Sequence, residues 1–250
     1  MIDYKDKIKE KYKKILFIHG WGFNSQIWEN FAAKFFYLDQ CHFLDLYSYI
    51  EYSKGDLKIA SKKILDDYED IDLIISWSLG CYFAKEIEFM TKIKNIKYVY
   101  ISYNPKFIKE KFWDFGFDLY ILKKLRLDIK KNKENALKNF YLLILGRYER
   151  KNLFYKEITK NINLTLKIKT KILNLGLDII ENSDYRNYHY KKNVKNIYIY
   201  GDKDEITSIS IKSFINEKEP NSIIKVIPNS SHISFVTNSN NFFDVLKECL

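Results

Sequence analysis

Residues 71–80, IDLIISWSLG, have the form of a buried strand that turns sharply into a helix. The segment enters with an aliphatic run, and residues 81–90 continue it with helical spacing. Ser78 stands at the junction, with the small residues Ser76 and Gly80 two positions away on either side. This matches the G-x-S-x-G pattern, in which a tight turn exposes a serine hydroxyl above a sheet, with Ser76 replacing the first glycine. An ordinary strand–turn–helix with a serine N-cap has the same form, so other segments must distinguish the two.

Length and composition limit the classes of protein that fit. The chain has 250 residues, of which 46% are hydrophobic, enough for one large domain or two small ones. Its three cysteines, Cys41, Cys81 and Cys249, lack metal-ligand spacing, which favours free thiols in a reducing compartment and predicts no metal or cofactor. The charged N-terminus has no signal-peptide form, and no apolar run approaches the ~20 residues of a membrane span. We therefore expect a soluble, cytoplasmic, monomeric protein.

Strand-like and helix-like segments alternate through most of the chain. The predicted strands are 15–18, 41–46, 73–75, 98–102, 197–200 and 223–227, and the predicted helices between and after them are 25–36, 57–68, 81–90 and 241–250. Such alternation predicts an α/β fold with a mainly parallel sheet and helices on both faces.

The alternation stops between residues 106 and 187, where 119–127, 136–145 and 172–180 have the pattern of amphipathic helices. We interpret 106–187 as a helical cap inserted into a core made of 1–105 and 188–250. The segment 106–171 contains 18 Lys and Arg against 7 Asp and Glu, whereas the rest of the chain contains 24 against 25. The basic excess is either a solvated surface without a function or a docking face for an acidic partner.

Two further loops carry the groups that an acyl-transfer serine requires. Such a serine needs a histidine base, and the histidine needs a carboxylate that holds its tautomer. In α/β-hydrolases these occur in the chain order Ser, Asp or Glu, His. Ser78 is followed by Asp204 after strand 197–200 and by His232 after strand 223–227. We predict these three as a catalytic triad.

Several residues compete for these roles. Asp202 and Glu205 flank Asp204 and are alternatives for the carboxylate, although they fall early and late in the loop. His19 precedes the serine, so we assign it a structural role, and His42 and His189 are interpreted as structural or exposed. Cys81, one turn into the helix, is predicted to be buried rather than nucleophilic.

The oxyanion of an acyl-transfer reaction needs two backbone N–H donors. One is predicted from Leu79, directly after the serine, and the other from Trp21 in the loop after the first central strand. Gly20 and Gly22 on either side of Trp21 allow the backbone to approach closely. A tight glycine turn around a packed tryptophan is the structural alternative.

Four segments together resemble a known family. HGWGFNSQIW (19–28), SWSLG (76–80), YGDKDEI (200–206) and SSHISF (230–235) are similar, in order, to the signature segments of the carboxylesterases of biotin synthesis. That family has the α/β-hydrolase fold and hydrolyses the methyl ester of pimeloyl-acyl carrier protein. The resemblance spans nearly the whole chain and implies the same triad and oxyanion donors.

The resemblance also implies roles for cap residues. It implies substrate contacts by Trp21 and by the aromatic-led segment of Phe140, Tyr141, Leu142, Leu143 and Ile144. It further implies that basic cap residues hold the acidic carrier protein by ion pairs. The candidates are Lys123, Lys124, Arg126, Lys138, Arg147 and Arg150.

The chain departs from the family pattern at three places, which bear on substrate choice more than on the triad. Ser76 and Cys81 stand where the family has glycine. After Asp45 the family has a proline–glycine turn, which residues 46–49 replace in this chain. We expect these changes to tighten the loops near the site. The alternatives are a short-chain carboxylesterase or thioesterase with the same triad, and a non-catalytic binding protein. Nucleic-acid binding is disfavoured because the basic segment carries no recognisable motif.

Overall fold

The core of the molecule is a six-stranded, all-parallel β-sheet. The computed structural model describes residues 12–91, 96–147, 152–160, 162–188, 190 and 194–250. In that part of the chain the strands are β1 Ile15–Ile18, β2 Cys41–Leu44, β3 Leu73–Trp77, β4 Lys97–Ile101, β5 Ile197–Gly201 and β6 Ile223–Ile227. Their order in the sheet is β2-β1-β3-β4-β5-β6. The predicted α/β class and parallel sheet are therefore confirmed.

Helices cover the sheet between these strands. The helices that precede β4 are α1 Glu29–Phe35, α2 Leu46–Tyr52, α3 Leu57–Asp67 and α4 Leu79–Met90. All five residues of β3 are buried, as expected for a central strand of a sheet covered on both faces. A cluster of phenylalanines joins α1 to the end of the chain, with the rings of Phe35 and Phe243 stacked at 4.2 Å.

Five described helices lie between β4 and β5, inside the predicted cap. They are α5 Leu119–Lys131, α6 Lys133–Leu145, α7 Asn152–Thr159, α8 Ile162–Lys167 and α9 Thr170–Asn182. After β5 come α10 Lys212–Lys218, α11 Ser234–Thr237 and α12 Ser239–Cys249. None of the helices that the structure describes has the length and apolar character to cross a bilayer.

Two local predictions are wrong. The predicted helix 25–36 is split, because residues 25–28 form a 3₁₀ turn before α1. Residues 46–49, interpreted as a tightened loop, begin the helix α2 instead. The spacing of Leu46, Tyr47 and Ile50, all buried, places them on one side of that helix.

The helix that follows Ser78 is fixed to the sheet by a buried ionic network. The Lys85 ammonium, fully buried in α4, donates to Glu88 at 2.9 Å and to Glu219 at 2.6 Å. Tyr100 of β4 donates to Glu88, and Tyr198 of β5 donates to Glu219, each at 2.6 Å. Burial acts against both charges, but the nearby carboxylates raise the pKa of Lys85 and the ammonium lowers the pKa of Glu88. The network therefore holds ionised groups within the core.

Replacing Lys85 by methionine is expected to lower the free energy of unfolding by about 3–5 kcal/mol, because two buried carboxylates lose their counter-charge. The loss should be largest near pH 7 and shrink below pH 5. There the wild type loses the contribution of Glu88, whose pKa is lowered by folding. Urea unfolding at several pH values measures both. Lys62→Met, at an exposed pair with Asp66, is the control that should change little; an equal loss in both variants would contradict the argument.

Candidate active site

Four loops meet at one edge of the sheet. Because all strands are parallel, the loops that follow β1, β3, β5 and β6 leave at the same edge. These loops carry Trp21, Ser78, Asp204 and His232, respectively. In open α/β sheets, ligands bind at this carboxyl edge, so the candidate residues lie where a site is expected.

Ser78 occupies the sharp turn that its sequence context predicts. Its backbone has φ 54° and ψ −120°, a strained conformation that costs on the order of 1–3 kcal/mol in a non-glycine residue. The Ser78 N–H donates to the Ile101 carbonyl at 3.0 Å, which fixes the turn to β4. At Gly80, an added Cβ would lie 2.7 Å from the Ile18 and His19 carbonyl oxygens, so the position has to be glycine. The turn leaves Ser78 partly exposed at the start of α4.

The imidazole of His232 is joined to the carboxylate of Asp204. The distance between His232 Nδ1 and Asp204 Oδ2 is 2.8 Å, and both side chains are buried. The second oxygen, Asp204 Oδ1, accepts the backbone N–H groups of Ile206 at 2.8 Å and Thr207 at 2.9 Å. An ionised carboxylate only accepts hydrogen bonds, so Nδ1 of the neutral imidazole carries the proton and Nε2 has a free lone pair.

The two competing carboxylates make other contacts. Asp202 accepts the Ser230 N–H at 3.3 Å, and Glu205 accepts the Arg147 N–H at 3.3 Å. Asp202 and Glu205 therefore accept hydrogen bonds from the backbone near the site, whereas Asp204 contacts His232.

The loop of His232 is held by two residues that sequence analysis did not single out. The Trp77 indole, directly before Ser78, donates to the His232 carbonyl at 2.7 Å. Ser102 at the end of β4 has φ 52°, and its hydroxyl donates to the same oxygen at 3.3 Å. Trp77 thus links the serine turn directly to the histidine loop. The tryptophan of the S-W-S-L-G segment was the only sequence signal for this link.

The loop after β1 lies against the serine. At Gly20, an added Cβ would come within 3.1 Å of Ser78 Cβ, so glycine allows this close approach. Trp21 follows, and its indole donates to the Leu173 carbonyl of α9 at 2.9 Å. Leu79 is the first residue of α4, so its N–H has no acceptor within the helix. The loop and the helix start therefore flank Ser78.

His19 is buried and holds this loop in place. Its Nδ1 lies 2.8 Å from the Gly20 carbonyl, and its Nε2 lies 3.2 Å from the Leu46 N–H. A carbonyl only accepts and an N–H only donates, so Nδ1 carries the single proton. Burial lowers the pKa of His19 to about 4, so the imidazole is neutral near pH 7. The contacts agree with the predicted structural role.

Two tyrosine hydroxyls form hydrogen bonds with the backbone of Gly22, one with its N–H and one with its carbonyl. The Gly22 N–H donates to Tyr47 Oη of α2 at 2.6 Å, and Tyr141 Oη of α6 donates to the Gly22 carbonyl at 2.6 Å. Burial raises the pKa of both phenols, so they remain protonated. These two hydrogen bonds join the loop of Trp21 to helices α2 and α6.

Tyr47→Phe should lower kcat by about tenfold, equivalent to about 1.4 kcal/mol, because the loop beside Ser78 loses its anchor. The unpaired Gly22 N–H should also reduce the free energy of unfolding by about 1–3 kcal/mol. Ester hydrolysis and urea unfolding measure the two effects. Tyr49→Phe, in the same helix with a hydroxyl that donates to Asp67, is the control. Equal kcat values for the two variants would exclude the anchoring role.

Ser76 and Cys81, the two residues that replace glycines of the family pattern, contact each other. The Ser76 hydroxyl, fully buried, donates to the Val99 carbonyl at 3.0 Å and lies 3.6 Å from Cys81 Sγ. Cys81 Sγ donates to the Ile101 carbonyl at 3.4 Å. Burial raises the pKa of Cys81 to about 12, so it remains a thiol near pH 7. Both side chains thus pack behind the turn against β4.

An apolar cavity of about 170 Å³ extends from Ser78 and Trp21 to helices α5, α6 and α9. Its apolar wall consists of Phe107, Phe117, Ile121, Leu122, Leu125, Ala136, Phe140, Leu143, Leu177, Ile180 and Ile206. Lys124, Asp128, Asn139 and Glu205 supply its polar lining. Within the described residues, no group of three or more His, Cys, Asp or Glu side chains is placed to hold a metal ion.

Only two of the five residues in the predicted substrate-contact segment of α6 line the cavity. Phe140 and Leu143 line the cavity, whereas Tyr141 and Ile144 are buried elsewhere and Leu142 is not part of its wall. Phe140 meets Trp21 edge to face at 4.8 Å, while Tyr141 stacks on Phe23 at 4.4 Å. Residues three apart share a helix face, so a continuous run of five cannot all face one cavity.

The basic cap candidates have different environments. Lys123 is exposed, Lys124 pairs with Asp128 at the cavity lining, and Lys138 pairs with Glu134. Arg126 is only 24% exposed and contacts Asp178 at 2.8 Å and Glu181 at 2.9 Å. Arg147 is 84% exposed and lies 3.7 Å from Glu205. Arg150 falls outside the described residues. Among the described candidates, Arg126 therefore has the most ion pairs within the protein, because it contacts two carboxylates.

Comparison with known proteins identifies the family. The chain is 30% identical over 242 residues to the pimeloyl-[acyl-carrier protein] methyl ester esterase of Wigglesworthia glossinidia brevipalpis, covering 93% of this chain and 92% of that protein. The chain belongs to the pimeloyl-[acyl-carrier protein] methyl ester esterase family. The esterase of the same name from Pseudoalteromonas atlantica is 22% identical, with 92% of each chain covered. No protein-family model matches the chain. Membership of this esterase family makes the chain a carboxylic ester hydrolase.

Solved structures that the chain resembles have the same fold. An esterase from Exiguobacterium antarcticum gives a TM-score of 0.78 at 16% identity, covering 94% of this chain and 91% of that one. A bromoperoxidase from Bacillus anthracis also gives 0.78 at 16% identity, with 95% and 91% covered. The predicted α/β-hydrolase fold is therefore confirmed for this member of the esterase family.

Proposed function

We propose that this protein hydrolyses the methyl ester of pimeloyl-acyl carrier protein, releasing methanol and the free ω-carboxylate for biotin precursor synthesis. The observation that carries the proposal is the Asp204–His232 pair at 2.8 Å, at the same sheet edge as the Ser78 turn, in a chain of this esterase family. Ser78, His232 and Asp204 have the proposed roles of nucleophile, base and orienting acid.

The chemistry follows from the tautomer of His232. Nε2 takes the Ser78 hydroxyl proton as Oγ attacks the ester carbonyl carbon. The N–H groups of Trp21 and Leu79 are the proposed donors to the oxyanion, each contributing roughly 3–4 kcal/mol to the transition state. The C–O bond to the methoxy group then breaks, and His232 returns the proton to give methanol. Water, deprotonated by His232, attacks the acyl-serine and releases the carboxylate and Ser78.

The cavity supports an acyl chain as the occupant. Its polar groups are few, and the apolar side chains of α5, α6 and α9 surround a path to Ser78. Methylene groups gain free energy by leaving water, about 0.8 kcal/mol for each buried CH₂. An acyl chain attached to a carrier can therefore lie beneath the cap with its ester at the serine. The basic excess of the cap would attract an acidic carrier protein.

The decisive experiment uses purified protein and three substrates: pimeloyl methyl ester on acyl carrier protein, dimethyl pimelate, and a short-chain ester such as p-nitrophenyl acetate. We expect kcat/KM to be highest for the carrier-bound ester, and to fall for that substrate as salt screens the carrier contacts. Rapid cleavage of the small esters with an intact carrier-bound ester would instead indicate a general short-chain esterase. Background turnover of every ester and thioester tested would indicate a non-catalytic binding protein.

A further inference from the structure

A buried glycine lies in the middle of α9, where alanine would favour the helix more. Gly176 stands between Leu175 and Leu177 in the apolar part of Thr170–Asn182. Because glycine in a helix interior is unfavourable, it usually has a packing reason there. The reason is the indole of Trp21. A Cβ added to Gly176 would lie 2.9 Å from Trp21 Cδ1 and 3.3 Å from Trp21 Nε1, so a larger residue would displace the ring.

The same face of α9 contacts both residues proposed as oxyanion donors. The Trp21 indole donates to the Leu173 carbonyl at 2.9 Å, three residues before Gly176. A Cβ added to Gly176 would also lie 3.6 Å from Leu79 Cδ2. The backbone N–H groups of Trp21 and Leu79 are the two proposed donors. The helix α9 therefore packs against the side chains of both donor residues.

Other contacts hold α9 in place. Arg126 of α5 forms ion pairs with Asp178 at 2.8 Å and with Glu181 at 2.9 Å, both on α9. On another side, Leu175 packs against the turn after α2, where a Cβ added to Gly55 would lie 3.0 Å from Leu175 Cδ2. A larger residue on the face of α9 next to the indole would therefore move the tryptophan rather than the helix.

The loop of Trp21 depends on such contacts for its direction. Gly20 and Gly22 flank Trp21, and glycine restricts φ and ψ less than any other residue. An oxyanion donor has its full effect only when its N–H is aimed correctly, and a misplacement of about 1 Å can cost about 10²-fold in rate. Tyr47 and Tyr141 hold the backbone at Gly22. The contact with α9 holds the side chain of the donor residue itself.

We propose that Gly176 is a positioning residue for the oxyanion donor Trp21. It lets α9 hold the indole against the Leu173 carbonyl and thereby sets the direction of the Trp21 N–H. The inference rests on the proposed function for the serine chemistry and its oxyanion. Because Leu177 and Ile180 of α9 line the acyl cavity, one helix contacts both the acyl chain and a donor that stabilises the transition state.

Gly176→Ala should lower kcat for p-nitrophenyl acetate by about tenfold, because the added methyl group displaces the indole and turns the donor away. The acetyl group is too short to fill the cavity, so KM should change by less than about twofold. The fold should be kept, since alanine favours a helix more than glycine does. Lys171→Ala, at an exposed position of the same helix, is the control that should leave both constants unchanged.

Two inhibitors separate positioning from a general structural effect. In a short alkyl trifluoromethyl ketone, Ser78 Oγ adds to the carbonyl carbon, His232 takes the serine proton, and the carbonyl oxygen becomes an oxyanion. The matching methyl ketone has a less electrophilic carbonyl and stays trigonal. Gly176→Ala should raise Ki by about tenfold for the first inhibitor and by less than about twofold for the second. Equal weakening of both inhibitors, or a kcat within twofold of the wild type, would overturn the inference.

A double variant tests whether Gly176 acts through Trp21. Trp21→Leu removes the indole, so adding Gly176→Ala to it should lower kcat by less than about twofold further. Fully additive losses would contradict a role through the indole, and thermal melting verifies that each variant is folded.

The small ester keeps this test separate from that of the proposed substrate. If the wild type cleaves p-nitrophenyl acetate but not the carrier-bound ester, the proposed function is wrong, and the Gly176 variants still decide the inference. If the wild type cleaves the carrier-bound ester and Gly176→Ala behaves like Lys171→Ala, the inference is wrong and the proposed function stands. A wild type that neither cleaves an ester nor adds the trifluoromethyl ketone would overturn both.

Discussion

Ser78→Ala should lower kcat for ester hydrolysis by about 10⁴–10⁶-fold, because the proposed nucleophile is removed. Residual turnover would reflect substrate binding and the oxyanion donors alone. The turn itself should survive. Both serine and alanine bear a Cβ, so the strain at φ 54° is similar in the two proteins. The Ser78 contacts in the turn are made by its backbone N–H and carbonyl, which alanine retains.

Ser76→Ala is the matched control, since it removes a hydroxyl only two residues away. That hydroxyl donates to the Val99 carbonyl and is fully buried. Its loss should therefore reduce the free energy of unfolding by about 1 kcal/mol while kcat changes little. Comparing kcat and urea unfolding for the two alanine variants separates chemistry from stability.

A covalent label gives a second readout for Ser78. A fluorophosphonate should add one phosphonyl group to the wild type and to Ser76→Ala, and none to Ser78→Ala. Intact mass and peptide mapping locate the modified residue. Turnover by Ser78→Ala within tenfold of the wild type, or labelling at another residue, would rule out the proposed nucleophile.

The sheet and the serine turn could be predicted from sequence because their signals are local. Aliphatic runs specify β1 and β3. Glycine is required at position 80 because an added Cβ would lie 2.7 Å from the Ile18 and His19 carbonyl oxygens. The position of Asp204 after β5 and of His232 after β6 followed from chain order. Parallel topology then brings both loops to one edge, which explains why residues 28 positions apart are in contact.

The supports around the site could not be predicted because they depend on distant partners. Nothing in the local sequence indicates that Tyr47 reaches Gly22, or that Trp77 reaches a carbonyl 155 residues away. The helix α2 was missed because its first residues were compared with a turn that the family has there. A lysine within a helix is usually exposed to solvent, so the sequence does not indicate that Lys85 is buried. Its partner Glu219 lies 134 residues later in the chain, and only the fold brings the two together.

Asp204→Asn is expected to lower kcat by about 10⁴-fold while the fold is kept, because it should reverse the tautomer of His232. The N–H groups of Ile206 and Thr207 both point at Oδ1, so an asparagine must present its carbonyl oxygen to them. Its NH₂ group then faces His232 Nδ1, which has to accept. The imidazole proton moves to Nε2, and no lone pair remains for the Ser78 hydroxyl.

Asp202→Asn and Glu205→Gln provide the comparison, because these carboxylates accept backbone N–H groups that an amide oxygen can also accept. Both variants should retain kcat within a few-fold of the wild type. The ¹⁵N chemical shifts of His232 measure the tautomer directly and should exchange between Nδ1 and Nε2 only in Asp204→Asn. An unchanged His232 spectrum, or a loss of activity as large in Glu205→Gln, would show that Asp204 does not orient the base.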